Sequence, residues 1–296
     1  MTKKIALLAG LFGVLASCSS TKTAATTTTA PAATTTAVTT TTAAPGPPKI
    51  VSLSPTATEI LFAIGAGKQV IAVDDQSNFP ANAPKTDLSG YKPNVEAIAK
   101  YAPDLVVASD DTAIKDGMAA LKIKVLLEPS ATTIDDSYKQ IAELGEATGH
   151  AAQAKALVDK MTADIKAVYA SAPKPAAGAS FYYELDDTYY SVSGKSFIGN
   201  MLAQFGLTNI ADKADTQGTG YPQLSAEAIV AANPKFIFLA DSACCKQTPE
   251  IVATRAGWAT IDAVTSKKVI VLNDDIASRW GPRIVDLLKQ VADALK

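Results

Sequence analysis

The segment NVEAIAKYAPDLVVASD at residues 94–110 recurs later in the chain as SAEAIVAANPKFIFLAD at residues 225–241. Five residues are identical at matching positions, beginning with Glu96 in the first copy and Glu227 in the second. Each copy predicts a short helix, a stop at proline and a buried strand that ends at an aspartate. Two similar halves predict two similar lobes with a cleft between them. The alternative is chance similarity, because helix, proline and strand form a common αβ connection.

Strands and helices alternate through both halves of the chain. Between the halves, from residue 133 to residue 172, apolar residues recur only at helical spacing. We therefore predict an α/β fold of two Rossmann-like lobes, joined by a single long backbone helix, with the ligand cleft between the lobes. Outside the second copy of the repeat, the predicted strands are residues 49–54, 70–74, 104–109, 124–128, 179–185, 188–193 and 269–272, and the predicted helices are residues 56–66, 94–102, 112–121, 196–205, 249–260 and 282–295.

The first residues carry the features of a lipoprotein signal. A basic start is followed by an apolar stretch at residues 5–16, and Leu15-Ala-Ser-Cys18 resembles a bacterial lipobox. That resemblance implies a signal peptide at residues 1–17, cleavage before Cys18 and a diacylglyceryl group on its thiol. An acylated cysteine would anchor the protein to the cell membrane from outside the cytoplasm. The alternative is an ordinary secretory signal in which the cysteine is incidental.

Residues 18–48 are predicted to be the lipidated cysteine and a disordered stalk. Threonine, alanine and proline dominate this segment, so it cannot bury enough apolar surface to offset the loss of chain entropy on folding. The chain beyond it is predicted to divide into an N-terminal lobe at residues 49–148, the linking helix at residues 149–173 and a C-terminal lobe at residues 174–296.

Composition excludes several classes of partner. The formal net charge is −2 and the basic residues are scattered, which argues against nucleic acid as a partner. His150 is the only histidine, which argues against a resident metal site, and we expect no cofactor. Cys244 and Cys245 are neighbours, so a disulfide between them would be strained. They leave open a structural loop, a redox-labile pair or a soft contact to a metal.

Five stretches, taken in order and spacing, resemble the substrate-binding proteins of bacterial ABC importers for cobalamin, haem and ferric siderophores. They are VSLSPTATEILFAIGAG at residues 51–67, Phe79-Pro80, NVE at residues 94–96, APDLVV at residues 102–107 and SRWGPRIV at residues 278–285. The resemblance implies two α/β lobes on a rigid backbone helix, no enzymatic activity and a monomer. It also implies delivery of a small-molecule ligand to a permease dimer with its ATPase subunits. Such a ligand would itself carry cobalt or iron.

The same resemblance assigns roles to five residues. Tyr91 and Tyr221 stand where the cobalamin-binding members carry tryptophans that line the cleft. Glu96 and Glu227 match glutamates that pair with arginines of the permease dimer. Arg279 lies in the arginine-containing stretch before the last helix, where it could hold a ferric chelate.

Other ligand-contact candidates come from position in the chain. Asp110, Tyr183 and Trp280 lie near predicted strand or loop ends, and loops after strands line the crevice in α/β proteins. Pairs of aspartates also follow several strands, which leaves two alternatives from other classes. One is an exported hydrolase that uses the aspartates of the cleft. The other is a cell-envelope adhesion protein that uses the cleft for a partner.

Overall fold

The computed structural model describes residues 46–296. The predicted signal peptide, Cys18 and nearly all of the predicted stalk lie outside these residues. Two four-stranded sheets, in which all strands are parallel, form the centres of two lobes. The predicted α/β fold with two lobes is therefore confirmed.

The N-terminal lobe contains a sheet with the strand order β2-β1-β3-β4. Its strands are β1 (Ile50–Leu53), β2 (Val70–Val73), β3 (Leu105–Ala108) and β4 (Lys124–Leu127), and its short helices are α1 (Pro55–Ala63), α2 (Val95–Ala99) and α3 (Lys115–Ala120). Helix α1 starts directly after β1 because Ser54 accepts a hydrogen bond from the Ala57 amide and proline occupies the first helical position.

Two longer helices follow β4, and the second of them is the single long helix that joins the lobes. Helix α4 (Ile134–Thr148) ends at Gly149, whose φ of 77° is a left-handed conformation that glycine adopts readily. Helix α5 (Ala151–Ser171) has 21 residues and so spans about 30 Å. The two pack closely, because a Cβ atom added at Gly145 would lie 2.4 Å from the Ala154 side chain. None of the helices within residues 46–296 is both long and apolar enough to cross a bilayer.

The C-terminal lobe repeats the architecture with the strand order β6-β5-β7-β8. Strands β3 and β7, from the two copies of the repeat, occupy the same place in their sheets. The strands are β5 (Ser180–Glu184), β6 (Thr208–Asn209), β7 (Phe236–Leu239) and β8 (Val269–Val271). The helices are α6 (Phe197–Ala203), α7 (Ala226–Ala232), α8 (Ser242–Cys245), α9 (Pro249–Thr254), α10 (Asp262–Thr265), α11 (Asp274–Ala277) and α12 (Ile284–Ala294).

The predicted strand at residues 188–193 does not join the sheet. Its backbone bonds instead to a loop: the amides of Ser191 and Ser193 donate to the carbonyls of Pro222 and Gly220. The edge of the sheet is occupied by β6, which is too short for a periodic pattern to reveal. The predicted helix at residues 249–260 is also wrong in extent, because α9 ends at Thr254.

One hydrophobic core runs through both lobes. It extends from Ile60 in α1 through Leu144 in α4 and Met161 in α5 to Phe181 in β5 and Leu288 in α12. Two smaller clusters cover the opposite faces of the two sheets. Because α5 contributes to the shared core, the lobes cannot separate without exposing apolar surface.

Candidate ligand-binding cleft

Loops from both lobes meet at the carboxyl ends of the strands and enclose a pocket of about 130 Å³. Ala131 follows β4 in the N-terminal lobe, whereas Leu185 follows β5 in the C-terminal lobe. Tyr221, Phe197 and Trp280 give the pocket an aromatic wall. A second, more polar pocket of about 240 Å³ is also lined by Tyr221. A ligand with an apolar face and polar edges suits this pair of pockets.

Equivalent glycines in the two lobes position the two candidate tyrosines. A Cβ atom at Gly90 would lie 2.5 Å from the carbonyl oxygen of Leu53, at the end of β1. Gly220 has a φ of 85° and packs against Ser196, the residue that caps α6. At each glycine, the loop thus lies in close contact with the turn that precedes a helix. The tyrosine that follows differs in placement: Tyr91 is 89% exposed and lines neither pocket, whereas Tyr221 is 50% exposed and lines both.

A buried carboxylate joins the lobes beside the cleft. Glu59 in α1 accepts hydrogen bonds from Arg279 at 2.7 Å and from two nitrogens of Arg283 at 2.9 and 2.5 Å. Both arginines lie in the segment between α11 and α12, after the last strand of the C-terminal lobe. Arg279 also donates to the Gln76 carbonyl and to Asp275. Arg279 is therefore occupied by protein partners, and in this conformation it positions the cleft wall rather than presenting a free guanidinium.

Trp280 is held by the N-terminal lobe. Its indole nitrogen donates to Gln140 at 2.6 Å, and its carbonyl oxygen accepts a hydrogen bond from Ser137. Both partners belong to α4. The ring therefore lines the pocket in a fixed orientation.

Tyr183 and Asp110 do not line the pocket. Tyr183 lies in the middle of a sheet whose two faces are covered, so its side chain is fully buried, and its hydroxyl donates to the Ala277 carbonyl. Asp110 is exposed and accepts hydrogen bonds from the amide and hydroxyl of Thr112. Those bonds hold the pKa of the Asp110 carboxyl below its usual value.

The other aspartates that follow strands also shape local structure. Asp74 accepts hydrogen bonds from Gln76 and Ser77, and Asp186 accepts two from Thr188. Such bonds are typical of turns formed by aspartate. Within residues 46–296 there is no group of three or more His, Cys, Asp or Glu side chains that could hold a metal ion.

The two repeated glutamates lie on exposed helix starts. Glu96 and Glu227 are the second residues of α2 and α7, and both are exposed. The caps of these helices come from other side chains, because Asn94 and Ser225 accept the hydrogen bonds from the third helical amides. Only the helix dipole stabilises the two carboxylates, and at an exposed site this stabilisation is less than about 1 kcal/mol. Neither glutamate is needed to cap its helix.

Sequence reasoning missed a buried charged cluster in the C-terminal lobe. Arg255 donates two hydrogen bonds of 2.6 Å to Glu184 at the end of β5 and lies over the ring of Trp258. Asp241 lies beside Glu184 and is fully buried, and burial with the neighbouring carboxylate raises its pKa. In the sequence, the only sign of this cluster is Asp241, which ends the second copy of the repeat.

A second carboxyl, Glu128 after β4, is buried without a hydrogen-bond partner within the described residues. Burial is the main cause that raises its pKa to about 8, and the carboxylate of Glu143 adds to the effect. The positive charge of Lys139 acts in the opposite direction and lowers the pKa of Glu128. Glu128 is therefore a neutral acid at neutral pH, which reduces the cost of leaving it unpaired.

Comparison with known proteins identifies what this architecture is similar to. The family model described as "Periplasmic binding protein" matches residues 50–276. The uncharacterized ABC transporter substrate-binding lipoprotein YvrC of Bacillus subtilis is 33% identical over 84% of this chain and 80% of that protein. The cobalamin-binding protein of Halobacterium salinarum is 30% identical over 84% of this chain and 69% of that protein.

Solved structures show the same fold. The periplasmic vitamin B12 binding protein BtuF of Vibrio cholerae has a TM-score of 0.68 and 25% identity, over 84% of this chain and 97% of that chain. The periplasmic heme-binding protein RhuT of Roseiflexus has a TM-score of 0.73 at 22% identity, over 84% of this chain and 98% of that chain, and shows likeness of fold alone. The family resemblance carried by the five sequence stretches is confirmed.

The contacts of Glu59 predict a large loss of stability in Glu59→Gln. The change leaves two arginines without their buried countercharge, and breaking a buried ion pair from one side costs about 3–5 kcal/mol. Urea denaturation measures this loss. Asp159→Asn is the matched control, because it breaks an exposed pair with Lys155 and is expected to cost less than about 1 kcal/mol. Equal losses in the two variants would contradict a special role for Glu59.

The raised pKa of Glu128 predicts a pH dependence of stability. The folded protein keeps this proton up to about pH 8, whereas the unfolded chain releases it near the ordinary value of 4.5. The contribution of Glu128 is fully present below the unfolded pKa and is lost as the pH rises through the folded pKa. Glu128→Gln removes this titration, so its free energy of unfolding should fall less than that of the native protein between about pH 5 and about pH 8. Equal slopes in urea denaturation series would show that Glu128 titrates normally, and Glu146→Gln, at an exposed site, is the control.

Proposed function

Because the chain belongs to the periplasmic binding protein family, we propose that it is the substrate-binding lipoprotein of an ABC importer. Outside the cytoplasm, it captures a corrinoid or another metal chelate in the cleft. It then delivers this ligand to the permease in the membrane. The observation that carries this proposal is the aromatic pocket, which takes its walls from both lobes at the carboxyl ends of the strands. Asp74, Asp110 and Asp186 form turns, which favours binding over hydrolysis.

The ligand is proposed to bring its own metal ligands. The single histidine, His150, lies at the start of α5 beside Gly65, not in the pocket. Burial raises the pKa of the Tyr221 phenol, which disfavours the tyrosinate that iron coordination requires. A complex that is already fully coordinated, such as cobalamin or a ferric siderophore, therefore fits better than haem. The relative from Halobacterium salinarum is named as a cobalamin-binding protein, which agrees with this choice.

The anchor is proposed to be the lipid on Cys18. The relative from Bacillus subtilis is named as a lipoprotein, which supports it. A tether of about thirty residues with flexible composition reaches roughly 30 Å by random-coil scaling. That length would keep the lobes close to a permease while allowing them to capture ligand.

Ligand binding tests the proposal through the two tyrosines. In calorimetric titrations with cyanocobalamin, a ferric hydroxamate and hemin, we expect one of the first two to bind with a stoichiometry of one and without turnover. Tyr91→Ala and Tyr221→Ala should each weaken binding by about 1–3 kcal/mol, since each removes an aromatic contact. The controls Tyr91→Phe and Tyr221→Phe keep the ring and should bind nearly as well as the native protein. Native affinity in both alanine variants would reject the assignment of the cleft.

Docking tests the role of the repeated glutamates. One glutamate on each lobe suits a permease with two equivalent subunits, each offering a basic contact. We expect Glu96→Ala and Glu227→Ala to leave ligand affinity unchanged and to reduce uptake of labelled ligand by cells. Uptake by cells with the double variant should be lower than uptake with either single variant. Glu146→Ala, at an exposed site on α4, is the control. Normal uptake by the double variant, or loss of ligand binding in either single one, would refute the docking role.

A further inference from the structure

Two neighbouring thiols stand at the edge of the C-terminal lobe, outside both pockets described above. Cys244 and Cys245 end α8, the single helical turn that follows β7 at the carboxyl end of the sheet. Both cysteines are free, Cys244 is exposed and Cys245 is half-buried. A reagent in solution can therefore reach them. Nothing in the proposed transport function uses this pair.

The surrounding contacts hold the pair in place. Asp274 accepts hydrogen bonds from the Ser242 hydroxyl and from the amides of Ala243 and Cys244. The Cys244 thiol lies 3.6 Å from the Asp241 carbonyl oxygen, to which it donates. Cys244 and Cys245 are consecutive residues of the same helical turn, so their Cα atoms lie about 3.8 Å apart. The backbone that carries both thiols is thus held in place beside Asp274.

The reduced form is the stable one. Consecutive Cα atoms across a trans peptide lie about 3.8 Å apart, which is shorter than the roughly 4.4–6.8 Å that disulfides usually span. That strain opposes closing a disulfide between the two sulfurs. An atom that bridges two sulfurs would relieve the strain, because the sulfurs would not have to bond to each other.

The number of ligands restricts what that bridging atom can be. Zinc usually needs four protein ligands in a structural site, and residues 46–296 contain no group of three His, Cys, Asp or Glu side chains that could hold a metal. A trivalent arsenic centre can be held by only two sulfurs, since its third bond goes to oxygen and its three bonds form a pyramid. After the first sulfur has bound, the second attack is intramolecular, so the neighbouring position of the thiols favours it.

We propose that Cys244 and Cys245 form a chelating site for trivalent arsenic, with arsenous acid as its simplest ligand. Two arsenic–oxygen bonds break and two arsenic–sulfur bonds form. The two thiol protons leave with the two hydroxides as two molecules of water, and arsenic keeps its third hydroxyl group. No electrons are transferred, and no further reactant is required. The proposal does not depend on the identity of the transported ligand.

The experiment uses the full chain with Cys18→Ser, which removes the only other cysteine. Incubation with arsenite followed by native mass spectrometry should show one arsenic per chain. Cys244→Ser and Cys245→Ser, each in the same background, should lose the adduct, because a single thiol forms only one bond to arsenic. Serine keeps the size of the side chain, so folding should be retained. Circular dichroism and alkylation of the remaining thiol by iodoacetamide confirm that each variant is folded and accessible.

The outcomes separate a chelate from simple thiol reactivity. The adduct should survive an excess of a monothiol and should be removed by a competing dithiol, because only a dithiol offers an equivalent chelate. No arsenic adduct on a protein whose two thiols both react with iodoacetamide would overturn the proposal. An adduct of equal stability in either single-cysteine variant would overturn it as well.

Discussion

The carboxylate of Glu59 is the contact on which the arrangement of the two lobes depends. It is buried in α1 and lies between Arg279 and Arg283, which come from the end of the other lobe. A buried carboxylate is costly unless its oxygens are paired, and here each oxygen accepts a hydrogen bond from an arginine. The ion pairs are directional, so they specify how the segment between α11 and α12 lies against α1. The shared core through α5 adds strength without that directionality.

This constraint produces the cleft. Because Arg279 is fixed by Glu59, the neighbouring Trp280 is carried onto α4, where Gln140 and Ser137 hold it. The indole then lines, together with Tyr221, a pocket whose walls come from both lobes. Because the pocket is formed before the ligand binds, the cost in free energy of ordering its side chains on binding is small. Fixed lobes also suit the proposed docking to a permease, which requires the same surface with and without ligand.

The sequence predicts the fold better than it predicts the site. The repeat carries strand periodicity, proline stops and helix caps, which are local signals, so it identifies β3 and β7 at equivalent places in two lobes. Side-chain partners across the lobes have no local signal. Arg279 is a plausible ligand contact by its position in the chain, and only the structure reveals Glu59, which lies 220 residues earlier, as its partner. The prediction that Tyr183 contacts the ligand is wrong for a related reason. A tyrosine in a strand covered on both faces has the same local sequence as one at the edge of a cleft.

The distance between the lobes tests this account most directly. Spin labels at Ala120→Cys and Ser266→Cys, both exposed positions on opposite lobes, can be placed in a background that lacks the three native cysteines. Pulsed electron paramagnetic resonance on the ligand-free protein should then give one narrow distance distribution, and Glu59→Gln in the same background should broaden it. A broad or two-peaked distribution in the protein that retains Glu59 would show that the lobes move freely and that the cleft is not held by this contact.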